Sequence, residues 1–358
     1  MLRTRRLSRQ IMVGDVKIGG GAPISVQSMT KTDTRDVKRT LSQISELAEG
    51  GCEIVRVAVP DQEAAQALIS LCRGTTVPLV ADIHFDYRLA LTAIKAGVAG
   101  LRLNPGNIGG PDRVREVALA AKERQIPIRI GVNAGSLEQG LLKRHGGISA
   151  AGMVESALKQ AELLEDIGHT AIVLSLKASD VLLTVDAYRL VADKCDYPLH
   201  VGITEAGTVW RGTIRSAVGI GVLLHEGIGD TIRVSLTGSP IEEVRVGYEI
   251  LQALGLRQRG PVVISCPTCG RCQIDVAKLA QTVEAAVIDL DVPLKIAVMG
   301  CAVNGPGEAA EADVGVAGGR GAGLIFRRGK IVRKVPEEQM AAALLAEIRA
   351  ELGLKDTN

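Results

Sequence analysis

The chain has 358 residues, 46% apolar but only 2% aromatic, so a large core must be built from Val, Ile, Leu and Ala, the composition of buried parallel strands. Its 42 basic and 40 acidic residues nearly cancel, which excludes a global basic surface for nucleic acid. No apolar stretch approaches the roughly 20 residues of a membrane helix, no apolar run follows the basic Arg3–Arg6 to make a secretory leader, and seven cysteines in such a chain read as reduced cytoplasmic thiols rather than a disulfide framework.

In chain order, Met12–Ile18 reads as a small hairpin closing the bottom of a barrel. From residue 24 to 254 one unit recurs: a short β-rich run, a polar or glycine-bearing loop, then an amphipathic helix. The strand candidates are Ile24–Gln27, Ile54–Val57, Leu79–Ile83, Gly100–Leu103, Ile128–Val132, Ala171–Leu176, Leu199–Ile203 and Thr231–Ser235. Between them, spacings such as Leu41, Ile44, Leu47 and Ala48 put apolar groups on one helical face, and Gly50, Gly97 and Gly168 mark helix ends. Eight such units in about 230 residues match a (β/α)8 TIM barrel; a doubly wound open sheet gives no reason for the count to stop there. Residues 255–261 read as a polar, basic linker. Beyond it come a strand at Val262–Ser265, a CxxC turn, a helix near Asp275–Asp289, strands at Leu294–Met299 and Ala312–Val316, a hairpin across Leu324–Val335 turning at Arg328–Lys330, and a last helix from Glu337 to about Leu352. The expected division is a barrel, 1–255, followed by a smaller α/β domain, 256–358.

In a barrel of this kind, chemistry sits where strands end and βα loops begin. The residues there are polar: Gln27, Ser28, Arg56, Asp82, His84, Arg102, Asn104, Arg129, Asn133, Ser175, Lys177, Thr204, Glu205, Arg233 and Ser235. Arg56 and Arg129 lie inside otherwise apolar strands, where an unpaired charge is far too costly. One reading is a ring of ion pairs with Asp82, Glu205 and loop acids. The other starts from the cations outnumbering those two acids, and takes the surplus as a seat for a polyanion, most simply a diphosphate. The loop Asn104–Gly110 can offer backbone N–H groups to phosphate, although turn chemistry alone also explains its glycines. His84 and Glu205 are candidate proton donors, although a lone His is more often structural than catalytic.

Cys266-Pro-Thr-Cys269 and Cys301, the latter followed by Glu308 after a Gly-Pro-Gly turn, form the other constellation. Three thiols and one exchangeable carboxylate suit an iron–sulfur cluster that exposes one iron. A zinc ribbon would show a second CxxC or a His pair, and residues 270–358 contain no histidine. Cys272 leaves an all-thiolate set open. Cys52, Cys72 and Cys195 fall in helical or strand patterns and read as buried apolar fillers. A non-redox phosphate-ester barrel, such as a pterin synthase or aldolase with a structural zinc domain, is the alternative.

Taken together, Ser25–Thr30, Arg56-Val, Ala81-Asp-Ile-His84, Arg102-Leu-Asn-Pro-Gly106, Arg129-Ile-Gly-Val-Asn133, His200-Val-Gly-Ile-Thr-Glu205, Ile264–Cys269 and Gly300–Glu308 make the chain closely resemble the 4-hydroxy-3-methylbut-2-enyl diphosphate synthase family of the non-mevalonate isoprenoid pathway, in its compact two-domain bacterial form. The resemblance implies a [4Fe–4S] cluster on Cys266, Cys269, Cys301 and Glu308. It implies reductive opening and dehydration of 2-C-methyl-D-erythritol 2,4-cyclodiphosphate, with two electrons from flavodoxin or ferredoxin. It also implies substrate contacts from Arg56, Asp82, His84, Arg102, Asn104, Arg129, Asn133, Lys177, Glu205, Ser235 and Asn304. Cys272 matches no ligand position of the family pattern.

A barrel's last helix returns the chain to the bottom, opposite the mouth. A linker of about seven residues spans at most roughly 25 Å, while a barrel helix of 12 residues is already about 18 Å long. A head-to-tail homodimer is therefore expected, each cluster domain capping the partner's barrel.

Overall fold

The computed structural model describes residues 3–104, 108–301, 307 and 311–353, and divides the chain into two compact units, Met1–Arg257 and Gln258–Asn358. In the first, a hairpin of β1 (Ile11–Val13) and β2 (Val16–Ile18) precedes the strands β3 (Ser25–Met29), β4 (Ile54–Ala58), β5 (Leu79–Asp82), β6 (Gly100–Leu103), β7 (Ile128–Asn133), β8 (Ile172–Lys177), β9 (His200–Val201) and β10 (Thr231–Ile232). These eight pair in the order β8-β7-β6-β5-β4-β3-β10-β9, each described pairing parallel. A bridge between Leu174 and Leu199 joins the two ends, so the sheet closes into the expected (β/α)8 barrel.

Parallel neighbours need crossovers, and helices supply them: α1 (Val37–Glu49), α2 (Gln62–Arg73), α3 (Tyr87–Ala96), α4 (Pro111–Glu123), α5 (Gln139–Arg144), α6 (Ala150–Glu165), α7 (Val181–Ala192), α8 (Val209–His225) and α9 (Pro240–Ala253). Asp36, Asp61, Asp86, Ser149 and Asp180 cap helix N-termini by accepting a backbone N–H, which is why the turns begin there. Gly97 ends α3 at φ +93, where a side chain would be strained. The segment α5, with the 3-10 turn Ala134–Ser136 before it, is not separable in the sequence from the long β7–α6 loop. β9 and β10 are shorter than their apolar patterns suggest. After Val201, Gly202 presses on the Arg233 carbonyl so closely that a Cβ would not fit.

The strands alternate with period two, and the two faces differ in kind. Outward residues Val55, Val57, Leu79, Ala81, Leu101, Leu103, Ile128, Ile130, Leu174 and Leu176 join the helices in one core. Inside, Ile54, Val80 and Val173 near the strand starts form a separate cluster with Ile11, Val13 and Ile18 of the hairpin. The hairpin therefore seals the bottom, as its sequence suggests. One step further along the strands the interior turns polar.

The basic residues near the start of the chain have a structural role that composition does not reveal. Arg6 donates to the carbonyls of Cys195 and Tyr197, and Arg5 to the Ala22 carbonyl at 2.6 Å. The buried Asp230 carboxylate receives Arg5 at 3.3 Å, the Ser8 hydroxyl at 2.8 Å and the Leu199 N–H at 2.9 Å. This strap ties residues 3–9 to the segments flanking β9. Among the described residues no helix is long and apolar enough to cross a membrane.

The second unit is a five-stranded sheet in the order β11 (Pro261–Ser265), β12 (Leu294–Met299), β13 (Val314–Gly319), β14 (Ala322–Arg327) and β15 (Lys330–Pro336). The first three are parallel and the last two antiparallel. α10 (Val276–Val287) and α11 (Met340–Glu351) bury Val283, Leu279, Leu344 and Ile348 against Ile296, Val298, Val316 and Ile325. β13 starts two residues later than expected because Asp313 turns back, its carboxylate accepting the Lys295 N–H at 2.8 Å. The β14–β15 turn uses Arg328 and Gly329, both at positive φ.

Asp230→Ala would leave the Ser8 hydroxyl and Leu199 N–H without their acceptor and the strap arginines without their counter-charge. A loss of about 3–5 kcal/mol is expected, read as a lower urea midpoint at unchanged slope; a shift worth less than about 1 kcal/mol would show the strap to be ornamental.

Candidate active site

The polar layer inside the barrel is built by register. Asp82, Arg102 and Arg129 are consecutive partners across β5, β6 and β7; Arg56 pairs with Met29, and Asn133 with Lys177. Asp82, Asn133 and Lys177 end their strands, while Arg56, Arg102 and Arg129 lie within theirs one level above the apolar bottom cluster, so the layer forms the floor of the barrel mouth.

Asp82 is its hub. Its carboxylate lies 3.3 Å from an Arg102 guanidinium nitrogen, 3.3 Å from His84 Nε2 and 3.8 Å from Arg56 Nε. Burial alone would push this carboxyl up, but Arg56, His84 and Arg102 prevail and hold it well below the usual carboxylate range. Arg56 also rests on the Met29 sulfur at 3.0–3.1 Å, and burial brings its guanidinium down to about 10 against the pull of Asp82. Arg102 donates to the Gly131 carbonyl at 3.4 Å and lies where a Cβ on Gly131 would stand.

The remaining cations are less well matched. Arg129 donates to Gln27 Oε1, but its Nε and second terminal nitrogen have no partner among the described residues. Burial, then Arg56 and Arg102, pulls its guanidinium well below the ordinary value. Lys177 is 7% exposed, and no ion pair to it is found among the described residues. Its nitrogen stands 2.8 Å from where a Cβ on Gly202 would be. Burial, then Arg233 and Arg129, pulls this amine far below the lysine range. Beneath it His200 is fully buried, its Nε2 unpartnered; burial, then Arg129 and Lys177, holds the imidazole neutral.

Arg233 leads to an acid that sequence patterning does not single out. It lies 3.5 Å from Glu243 of α9, which also receives Lys31 at 3.1 Å, the Ser28 hydroxyl at 2.9 Å and the Leu236 N–H at 3.1 Å. Glu243 looks like an ordinary first-turn acid after Ser239-Pro240, and no local signal marks it as inward. Glu205, in contrast, stays exposed after β9 and pairs with none of the arginines among the described residues. It holds φ +51, a left-handed backbone that costs a non-glycine residue about 1–2 kcal/mol.

Among the described residues, Arg56, Arg102, Arg129, Lys177 and Arg233, with Lys31 beside them, thus face two acids, Asp82 and Glu243. Asn104 is buried beside Arg102, Asn133 ends β7, and Ser235 is half-buried after β10. Asn304 and Glu308 lie outside the described residues, as do residues 105–107 of the glycine-rich loop. The cavity under the layer is mostly apolar, lined by Val13, Ile18, Ile54, Val80 and Val173, with Gln27, Arg129 and Thr231 at its polar side.

In the second unit, Cys266 directly follows β11 and Cys301 follows β12 at the same edge, because Ser265 and Val298 are register partners. Gly300 N–H donates to Cys266 Sγ at 3.1 Å. Cys301 is buried, Cys266 and Cys272 half-buried and Cys269 exposed. Among the described residues no three acids, histidines or cysteines converge into a formed metal site. Of the other thiols only Cys52 is fully buried, in the turn before β4. Cys72 and Cys195 are half-buried, Cys72 in the last turn of α2 off its core face and Cys195 in the loop after α7.

Family models match both units: the GcpE TIM-barrel domain over residues 8–248 and the GcpE protein C-terminal domain over 262–350. A protein of Geobacter sulfurreducens named 4-hydroxy-3-methylbut-2-en-1-yl diphosphate synthase (flavodoxin) is 62% identical over 97% of this chain and 99% of its own length. One of the same name from Caldanaerobacter subterraneus is 59% identical over 97% and 98%. Among solved structures, dihydropteroate synthase from Stenotrophomonas maltophilia superposes with a TM-score of 0.52 at 12% identity, covering 69% of this chain and 98% of that one. That likeness is of the barrel fold alone, and the alternative of a pterin-synthase-like enzyme with structural zinc is not supported beside relatives so much closer.

Two outcomes test the charge balance. Asp82→Asn is expected to cost the free protein about 3–5 kcal/mol and to be partly rescued by inorganic pyrophosphate in thermal melts; absence of rescue would argue against an anion seat. For Lys177 the folded value is depressed, so below the ordinary lysine range the unfolded chain binds a proton that the folded chain lacks, and stability rises with pH toward that range. Lys177→Met should flatten this slope and raise the neutral-pH melting temperature; a variant keeping the parent slope would mean that Lys177 is charged in the free barrel.

Proposed function

The chain belongs to the GcpE family of 4-hydroxy-3-methylbut-2-en-1-yl diphosphate synthases, and from that premise we propose that it opens and dehydrates 2-C-methyl-D-erythritol 2,4-cyclodiphosphate to 4-hydroxy-3-methylbut-2-enyl diphosphate. The reaction takes up two electrons and two protons and releases water. The observation that carries this reading is the surplus of positive charge in the barrel. A diphosphate supplies the counter-charge that Asp82 and Glu243 leave missing, and Arg forks bind it through paired N–H groups.

In this reading Arg56, Arg102, Arg129 and Lys177 grip the phosphates, with Asn104, Asn133, Ser235 and Asn304 as neutral donors. Asp82 keeps the Arg56 and Arg102 guanidiniums oriented and places His84 at the rim, where it serves the departing oxygen. Glu205, held in a strained backbone after β9 and exposed to the mouth, supplies a proton. Anion binding restores charge to Lys177, so it takes up protons.

Cys266, Cys269, Cys301 and Glu308 would hold a [4Fe–4S] cluster. The thiols fit such a group in donor chemistry, since two adjacent parallel strands deliver Cys266 and Cys301 to one edge. When bound, the cluster supplies the two electrons one at a time. Flavodoxin is the donor we favour, because the relatives carry it in their names, with ferredoxin as the other candidate. The setting is the cytoplasm. Ala253 ends α9 and Pro261 begins β11, so the connection is as short as the capping argument requires. We take the active species to be a homodimer in which each cluster unit caps the partner's barrel.

Anaerobically reconstituted protein should contain iron and sulfide and convert the cyclodiphosphate. Glu205→Gln is expected to lower kcat by about 10²–10⁴ with substrate binding retained; a variant with parental kcat removes Glu205 from the proton step. Mixing Arg56→Ala with Cys266→Ser subunits should restore partial activity, and inactive verified heterodimers would refute capping in trans.

A further inference from the structure

Cys272 has no part in the proposed reaction, yet its position is specific. A Cβ built on Gly300 would stand 2.5 Å from Cys272 Sγ and 3.4 Å from Cys266 Sγ. The two sulfurs flank one glycine and are therefore within about 6 Å of each other, so side-chain rotation has to bring them to the bond of about 2 Å in a disulfide. Both are anchored on that side: Cys266 Sγ accepts the Gly300 N–H at 3.1 Å, and Cys272 donates to the Ile274 carbonyl at 3.1 Å. The backbone fixes the approach, since Gln273 N–H bonds the Gly300 carbonyl at 3.0 Å. Cys269, the partner that a CxxC spacing would suggest for Cys266, is exposed instead.

We propose that Cys272 is a resolving thiol that closes a reversible disulfide with Cys266 when the cluster is absent. The oxidant is a peroxide. One thiol is oxidised to a sulfenic acid as the peroxide O–O bond breaks and one water leaves; the other sulfur then attacks it, forming the S–S bond and releasing a second water. Two thiols lose two electrons and two protons, and the peroxide is reduced to two waters. The bond stops Cys266 from passing to sulfinic acid, which is not reversed by thiol reductants. The disulfide rests on geometry alone; its protective value rests on the reading of Cys266 as a cluster ligand.

Trypsin separates the candidates, because Arg271 lies between Cys269 and Cys272. Full-length protein freed of iron by chelation is titrated with hydrogen peroxide and digested without reductant. The expected product is peptide 260–271 joined to peptide 272–278 with the loss of two hydrogens, formed also in Cys269→Ser and absent in Cys266→Ser; a joined species lost in Cys269→Ser instead would overturn the proposal. In Cys272→Ser the joined species is absent, and peptide 260–271 gains oxygen several-fold faster. Loss of two hydrogens within peptide 260–271 alone, or free Cys272 after oxidation, would overturn the proposal. Reduction followed by iron–sulfide loading, read as visible absorption, separates the two readings. Recovery of the parent but not of Cys272→Ser supports protection, and equal recovery of both refutes it. Failure of untreated protein to load would sink the cluster reading while a mapped disulfide stood.

Discussion

Positive charge enclosed by a barrel with too few acids to balance it is the constraint to which the first unit is fitted. Two like charges 4 Å apart at an effective dielectric of 20 repel by about 4 kcal/mol, more than one surface contact returns. Asp82 offsets part of this by sitting in register between the Arg56 and Arg102 strands. Glu243 offsets another part from a helix outside the barrel wall. Space is made by glycines, since Gly131 and Gly202 leave the volume that Arg102 and Lys177 occupy. The charge left unbalanced is borne by the packing of outward strand residues on the helices and by the lowered proton affinity of the Lys177 amine.

The barrel was legible in the sequence because its outward strand residues are β-branched or Leu and recur between capped helices; Ile128-Arg129-Ile130 shows both faces in three residues. The same pattern exposed most of the cations, since an arginine between two isoleucines has few explanations. Their partners were not legible. Glu243 meets Arg233 from the buried side of the first turn of α9, and Met29 meets Arg56 by strand pairing, neither of which leaves a local mark. The strap looks like unremarkable basic sequence because its acceptors are mostly backbone carbonyls, which every residue has. The lengths of β9 and β10 are overestimated for a related reason: apolar content extends past Val201 and Ile232, where their pairing ends.

The cysteine edge of the second unit follows a similar logic of strand register. Parallel pairing of β11 and β12 aligns two strand ends, and the loops after them deliver thiols without long or floppy reach. Gly300 is the pivot: its N–H engages one sulfur, its carbonyl steadies the Cys272 turn, and its missing side chain admits both thiols.

The strap also bears on how the molecule is made. Arg5 and its acceptor Asp230 are 225 positions apart, and β3 finds its second neighbour only in β10. On a ribosome, the clasp emerges long before its catch exists. Until β10 is synthesised, β3 presents an unpaired edge, the kind of surface that recruits chaperones or stray strands.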